Sequence, residues 1–169
     1  MIQENPFMGF TISRKQKDVE FLTQEEVARI RCAYMPSVNL ERIRDLFLFQ
    51  CYTALSYCDM AALKPSDFKT NDMGYIYIDG VRLKTKVKFI AILFEDAIYI
   101  AKKYDYKLPI ISNQRYNTNL KILADICGIK KPLHTHIGRH TAACYLLNKG
   151  LGLDIVARIM GHSSTKLTK

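Results

Sequence analysis

The sequence contains no CxxC pair, and its cysteines are odd in number: Cys32, Cys51, Cys58, Cys127 and Cys144. A disulfide framework and a paired-thiol metal site both need the pattern that is missing. Each cysteine sits in an apolar helical context, so free buried thiols are expected. No run of eighteen apolar residues occurs, which excludes a hydrophobic membrane-spanning helix. The N-terminus lacks a charged-then-apolar pattern, so no secretory signal is read and a soluble, cytoplasmic protein is expected. Internal repeats and low-complexity tracts are absent too. Acidic residues are scarce: 16 Asp and Glu stand against 25 Lys and Arg, a net charge of +9. That balance suits a polyanionic partner better than a neutral metabolite, with nucleic acid first and a membrane surface second.

What is present describes one ordinary domain. A chain of 169 residues, 49% hydrophobic, is long enough to bury a core and too apolar to stay disordered. Residues 1–20 lack periodicity and read as a linker or arm, with basic Arg14, Lys15 and Lys17. A helix starts at "LTQEEVARI", where Thr23 and Glu26 have the spacing of a capping box. Asn39 is the expected cap of a second helix, whose Leu40, Ile43, Phe47 and Gln50 face a buried centre. A short helix around Cys58 to Leu63 is stopped by Lys64-Pro65.

The period then changes. "GYIYIDGVRLKTKVKFIAIL" reads as strands, with a hairpin turn at Asp79-Gly80 and a further turn at Thr85-Lys86. After Asp79-Gly80, Val81, Leu83, Val87 and Phe89 alternate with Arg82, Lys84, Lys86 and Lys88, predicting one apolar and one cationic face. Helices return at Phe94 to Lys103 and at about Asn113 to Cys127. Another is capped by Thr135 and stopped by Gly150, and the last covers Asp154 to Met160. The fold class expected is α+β, mainly α-helical with a small antiparallel β-sheet.

The chemistry concentrates in "HTHIGRHTAACYLL". His134, His136 and His140 are three of the chain's four histidines. His136 and His140, four apart on a helix, have a spacing that can hold zinc. Arg139 between them opposes a cation, and the segment holds no Asp or Glu, and no Cys before Cys144, to complete a ligand set, so no metal is expected. An anion fits better. His136 and Arg139 share a face near a helix N-terminus, where free amides favour negative charge. Arginine presents a donor fork matched to phosphate, and histidine moves protons near neutrality. His162, after Gly161, adds a second histidine. The plain readings are a cap or surface residue for His136 and Arg139, a core hydrogen bond for His140, and a solvated face for the strand cations.

"HIGRHTAA" followed by "IMGHSS" resembles the box II region of the tyrosine recombinases, the phage and transposon integrases. The pattern falls on His136, Arg139, His140, Thr141, Gly161 and His162. "RDLFLFQCYTALSYCDMAAL" resembles the family's box I, and "RLKT" the β-hairpin segment that carries its lysine. The matches run in family order from about Leu22 to Lys169. The resemblance implies a DNA breaking-rejoining fold and strand cleavage by a tyrosine hydroxyl through a 3′-phosphotyrosine, without ATP, metal or other cofactor. It assigns Arg139 to the non-bridging oxygens, His136 to proton transfer at the tyrosine or to orienting the phosphate, Lys84 to the leaving 5′ oxygen, and His162 to a phosphate hydrogen bond. It also implies double-stranded DNA as partner and a homotetramer on DNA for the full-length protein, the present chain alone being a monomer.

Two departures stand out. Box I usually reads Thr-Gly-Leu-Arg, and this chain reads Thr53-Ala54-Leu55-Ser56. Serine brings no charge where the family places a phosphate-binding arginine, and losing one such contact costs about 3–4 kcal/mol. Arg82 is expected to supply the missing guanidinium, with Ser56, Lys86 and Lys88 as DNA contacts. The family's nucleophilic tyrosine falls just beyond Lys169. Residues 21–169 are therefore expected to be a catalytic domain truncated before its nucleophile and inactive alone. The alternatives are a DNA-binding relative that has lost catalysis and a metal-dependent hydrolase built on the histidines.

Overall fold

The computed structural model describes residues 20–84 and 86–160. Seven α-helices and a small sheet follow one another among them, with a 3-10 turn at Pro65–Asp67: α1 (Gln24–Cys32), α2 (Val38–Thr53), α3 (Tyr57–Ala61), β1 (Phe68–Thr70), β2 (Ile76–Val81), β3 (Lys88–Ile92), α4 (Glu95–Lys103), α5 (Asn113–Ile126), α6 (Thr135–Asn148) and α7 (Leu153–Ile159). The α+β class expected from the sequence is the one found. The expected arm at residues 1–20 lies, but for Glu20, outside the described residues.

Local chemistry explains the boundaries. Thr23 and Glu26 form the full capping box, each side chain bonded to the other's amide. Ser37, not Asn39, caps α2, because the Ser37 hydroxyl is the group that reaches the Leu40 amide. α2 is the central helix. Ile43 and every residue from Asp45 to Thr53 are buried, and α1, α4, α5 and α6 pack around it. The helix ends at Ala54, held in the left-handed region at φ 58°.

Gly138 sets how closely α6 approaches α2. A Cβ there would lie 3.1 Å from Phe47 Cε2 and 3.4 Å from Gln50 Oε1. Phe47 and Gln50 are themselves fully buried and cannot retreat. Gly138→Ala is therefore expected to destabilise the domain by about 1 kcal/mol net. Overpacking costs about 1–3 kcal/mol, and the better helix propensity of alanine returns about 1 kcal/mol of it. A denaturant midpoint equal to or above that of the parent would contradict this.

The sheet runs β1-β2-β3, antiparallel throughout. It corrects the hairpin expectation. Asp79 and Gly80 are not a turn but lie within β2, opposite Ile90 and Phe89. Gly80 is needed for space, since a Cβ would sit 2.8 Å from the Phe89 ring. The turn comes later, where Lys86 donates to the Arg82 carbonyl at φ 58°, close to the expected Thr85-Lys86 position. Because β2 stops at Val81, alternation fails beyond it. Arg82 is buried, whereas Val81, Leu83 and Val87 are exposed. The single cationic strand face does not exist. Lys84 and Lys86 sit in the turn, and Lys88 shares the open face of β3 with Ile90 and Ile92.

Other expectations fare unevenly. All five cysteines are free, but Cys32 and Cys58 are exposed and Cys144 is half-buried. No helix among the described residues is long and apolar enough to cross a membrane.

Candidate active site

Arg139 projects from α6 toward the turn after α2. Its Nη1 donates to the Ala54 carbonyl at 2.8 Å, and its Nη2 donates to the carbonyl of Met160, just past α7. The neighbouring carbonyl, Ile159, accepts from Nη2 of Arg82. Two guanidiniums from distant parts of the sequence thus meet at one helix end. The Arg139 pKa is pulled down to about 10 by burial and by the Arg82 charge, with Asp59 opposing. Arginine remains protonated at neutral pH all the same.

Asp59 organises the other side. Its Oδ2 accepts from Arg82 Nη1 at 2.8 Å and from the Ser56 hydroxyl at 2.7 Å, and its Oδ1 accepts from the Leu83 amide at 2.9 Å. Burial alone would raise this carboxyl's pKa. The Arg82 guanidinium, the Leu83 amide and the Ser56 hydroxyl outweigh it and hold the group below the ordinary carboxylate range. One carboxylate therefore ties α3 to the hairpin turn that carries Lys84. The face of Arg82 rests 4.2 Å over the Phe89 ring. Its Nε is buried without an acceptor.

Ser56 caps α3, its hydroxyl accepting from the Asp59 amide at 3.2 Å. The link that leads into it from α2 is fixed by buried Gln50, whose Nε2 donates to the Leu55 carbonyl at 3.0 Å. Ser56, Arg82 and Arg139 are thereby gathered around one turn. Lys84, Lys86, Lys88 and His136 are exposed. His162 and Gly161 lie outside the described residues. His140 is half-buried. Among the described residues no group of three His, Cys, Asp or Glu side chains is placed to hold a metal ion.

Two residues with structural roles here escaped the sequence reading. Asp59 follows Ser56 by three, the spacing of a capping box, which was a readable signal. His134, not Thr135, caps α6, its Nδ1 accepting from the Ile137 amide at 3.3 Å. Asn117 of α5 accepts from the adjacent Thr135 amide.

The cap at His134 makes a pH prediction. Burial and the nearby His136 hold its pKa below 6.5, with Glu20 opposing. Only the neutral ring can accept at Nδ1. The contribution is complete above pH 6.5 and is lost as the pH falls below that value. His134→Asn keeps a capping side chain that does not titrate. Between pH 7.5 and 5.5 the parent is expected to lose about 1 kcal/mol more stability than the variant, or about 2–4 °C in Tm. Parallel losses would remove this role.

Tyr145, the last tyrosine in the sequence, is not placed as a nucleophile. Its hydroxyl donates to Asp96, its ring packs on Tyr52 and Phe94, and burial pushes its pKa up.

A model of the phage integrase family matches residues 20–169. The chain belongs to the phage integrase family. It is similar to a tyrosine recombinase of Thermosipho africanus, 26% identical over 185 residues, covering 99% of this chain and 62% of that protein. It is likewise similar to tyrosine recombinase XerC of Bacillus pumilus, 26% identical over 190 residues, covering 100% of this chain and 62% of that one. The chain thus spans less than two thirds of these relatives. Among solved structures, the Tn1549 transposon integrase in complex with circular intermediate DNA superposes with a TM-score of 0.70 at 17% identity, over 98% of this chain and 67% of that one. The XerH recombinase in its post-cleavage complex with a palindromic difH substrate gives 0.71 at 19% identity, over 94% of this chain and 50% of that one. These likenesses establish the fold.

Proposed function

We propose that residues 21–169 form the catalytic domain of a site-specific DNA recombinase, an integrase of a mobile element acting on double-stranded DNA in the cytoplasm. The observation that carries this reading is the convergence of Arg82 and Arg139 beside Ser56, at the position where the family's box I arginine is missing. The Tn1549 and XerH relatives were captured with DNA, and a net charge of +9 suits the same partner.

In the proposed reaction a tyrosine oxygen, supplied beyond Lys169 in the longer protein, attacks the scissile phosphorus. His136 accepts the tyrosine proton. The bond from phosphorus to the 5′ oxygen breaks, and Lys84 gives that oxygen a proton. Arg139 and Arg82 balance the charge on the non-bridging oxygens, and His162 adds a hydrogen bond. Ser56, Lys86 and Lys88 contact flanking phosphates. The freed 5′ hydroxyl later attacks a partner's phosphotyrosine, so the bond energy is conserved. The full-length protein works as a homotetramer on DNA. The reaction, as drawn, requires no metal or other cofactor.

The test uses the full-length protein and a nicked duplex carrying the junction of the mobile element that encodes it. A detergent-resistant protein–DNA adduct, formed equally well in chelator and lost on changing the nucleophilic tyrosine to phenylalanine, is expected. Specific binding without any adduct would favour a DNA-binding relative that has lost catalysis. Stoichiometric zinc with chelator-sensitive cleavage would favour a hydrolase.

A further inference from the structure

We propose that the last turn of α7 gates the arginine pair. In the DNA-free protein the carbonyls of Ile159 and Met160 occupy the guanidinium forks, and a DNA phosphate is admitted only when that turn withdraws. The proposal rests on the reading of Arg82 and Arg139 as phosphate ligands.

Arg82 is only 5% exposed, and its Nε lies buried with no acceptor. A phosphate oxygen is no smaller than a water molecule, so a backbone phosphate cannot reach this group in the closed arrangement. Three features enclose it: the Phe89 ring on one face, the Asp59 carboxylate on one edge, and the Ile159 carbonyl on another. They are not equally easy to displace. Asp59 is fixed by three further groups, the Leu83 amide, the Ser56 hydroxyl and its own place in α3. Separating it from Arg82 would leave a buried carboxylate unpaired, the costliest of the available changes.

The Ile159 carbonyl is a neutral acceptor at the end of a seven-residue helix. Releasing it returns a peptide oxygen to water, and a phosphate then takes its place on the same donor. Exchanging a neutral acceptor for a charged one strengthens the bond to the guanidinium. Arg139 repeats the arrangement one residue on, through the Met160 carbonyl. A single withdrawal of this turn would free one fork edge on each arginine while leaving Asp59 and Ala54 to orient both. The buried Nε is the sign that the enclosed donor set is larger than the closed state satisfies.

Linkage makes the gate reciprocal: what loosens the turn tightens phosphate binding, and bound phosphate loosens the turn. Hydrogen exchange on the full-length protein reads the second effect. With a mixed-sequence 40-bp duplex, or with inorganic phosphate alone in a separate arm, the amides of Val156 to Met160 are expected to exchange about fivefold faster or more. Those of Thr141 to Leu146 in α6 should hold steady. Unchanged or slower exchange at Val156 to Met160 with the duplex bound overturns the gate. Met160→Gly, which loosens the turn, reads the first effect. It should bind the duplex about fivefold more tightly than the parent, and the gain should vanish in an Arg82→Gln, Asp59→Asn background, which removes the buried pair together. Equal or weaker binding by Met160→Gly overturns the proposal. Absence of salt-dependent duplex binding in every variant overturns the DNA reading itself, and the gate with it.

Discussion

Changing Arg139 to lysine in the full-length protein is expected to lower strand cleavage by about 10²–10³-fold, although the positive charge is kept. The reason is geometric. The Arg139 fork already spans two carbonyls, those of Ala54 and Met160, from opposite sides of the site. A planar fork with five donors can keep the Ala54 anchor and turn its other edge from the Met160 carbonyl to a phosphate, whereas a lysine ammonium can serve only one of these tasks at a time. Duplex binding, carried by many cations together, should fall much less than cleavage does. Some stability will be lost as well, since two carbonyls lose a charged donor. Cleavage rates should therefore be compared at a temperature where both proteins are fully folded. Cleavage within tenfold of the parent would mean that Arg139 is a structural clamp between α2 and α7 and nothing more.

That dual involvement explains how far the sequence could be read. Capping chemistry is local, so α1 could be read from Thr23 and Glu26, and α2 was displaced only by the choice between Ser37 and Asn39. The central helix was legible because its apolar residues wrap all round it. The hairpin was misread because Asp79-Gly80 carries the strongest turn signal in the region. Gly80 instead answers a packing demand from Phe89, a residue nine positions away. The true turn uses Lys86 in a left-handed conformation, which no glycine announces. That one displacement leaves Val81 exposed and turns Arg82 from a surface cation into a buried one, while Lys88 and Phe89 keep their expected sides. Box I hides a similar exchange. Ala54 stands where the family places glycine and still adopts a positive φ, at a cost of about 1–2 kcal/mol for a residue with a Cβ, with Gln50 bracing the next carbonyl. His136 and Arg139 were found through spacing and resemblance. Asp59 was not, because its importance lies in partners 23 and 24 positions away.

The exchange at Ser56 leads to the second large effect. Arg82→Gln is expected to reduce cleavage by about 10²–10³-fold, but alone it is ambiguous. It strands the Asp59 carboxylate in the interior, which costs about 3–5 kcal/mol and could unfold the domain. Arg82→Gln combined with Asp59→Asn removes the pair together and should restore most of the stability while leaving cleavage low. The decisive variant restores the family's arrangement. Ser56→Arg alone crowds three guanidiniums around one carboxylate and should impair the enzyme. Ser56→Arg with Arg82→Gln supplies one guanidinium from α3 in place of one from the hairpin, keeps Asp59 paired, and should recover at least about tenfold of the lost cleavage. Wild-type cleavage by the folded Arg82→Gln, Asp59→Asn protein would show that Arg82 only ties the hairpin to α3. Recovery in the swapped protein would show that the two positions serve one phosphate, so that the charge missing from box I is carried by a residue 26 positions further along the chain.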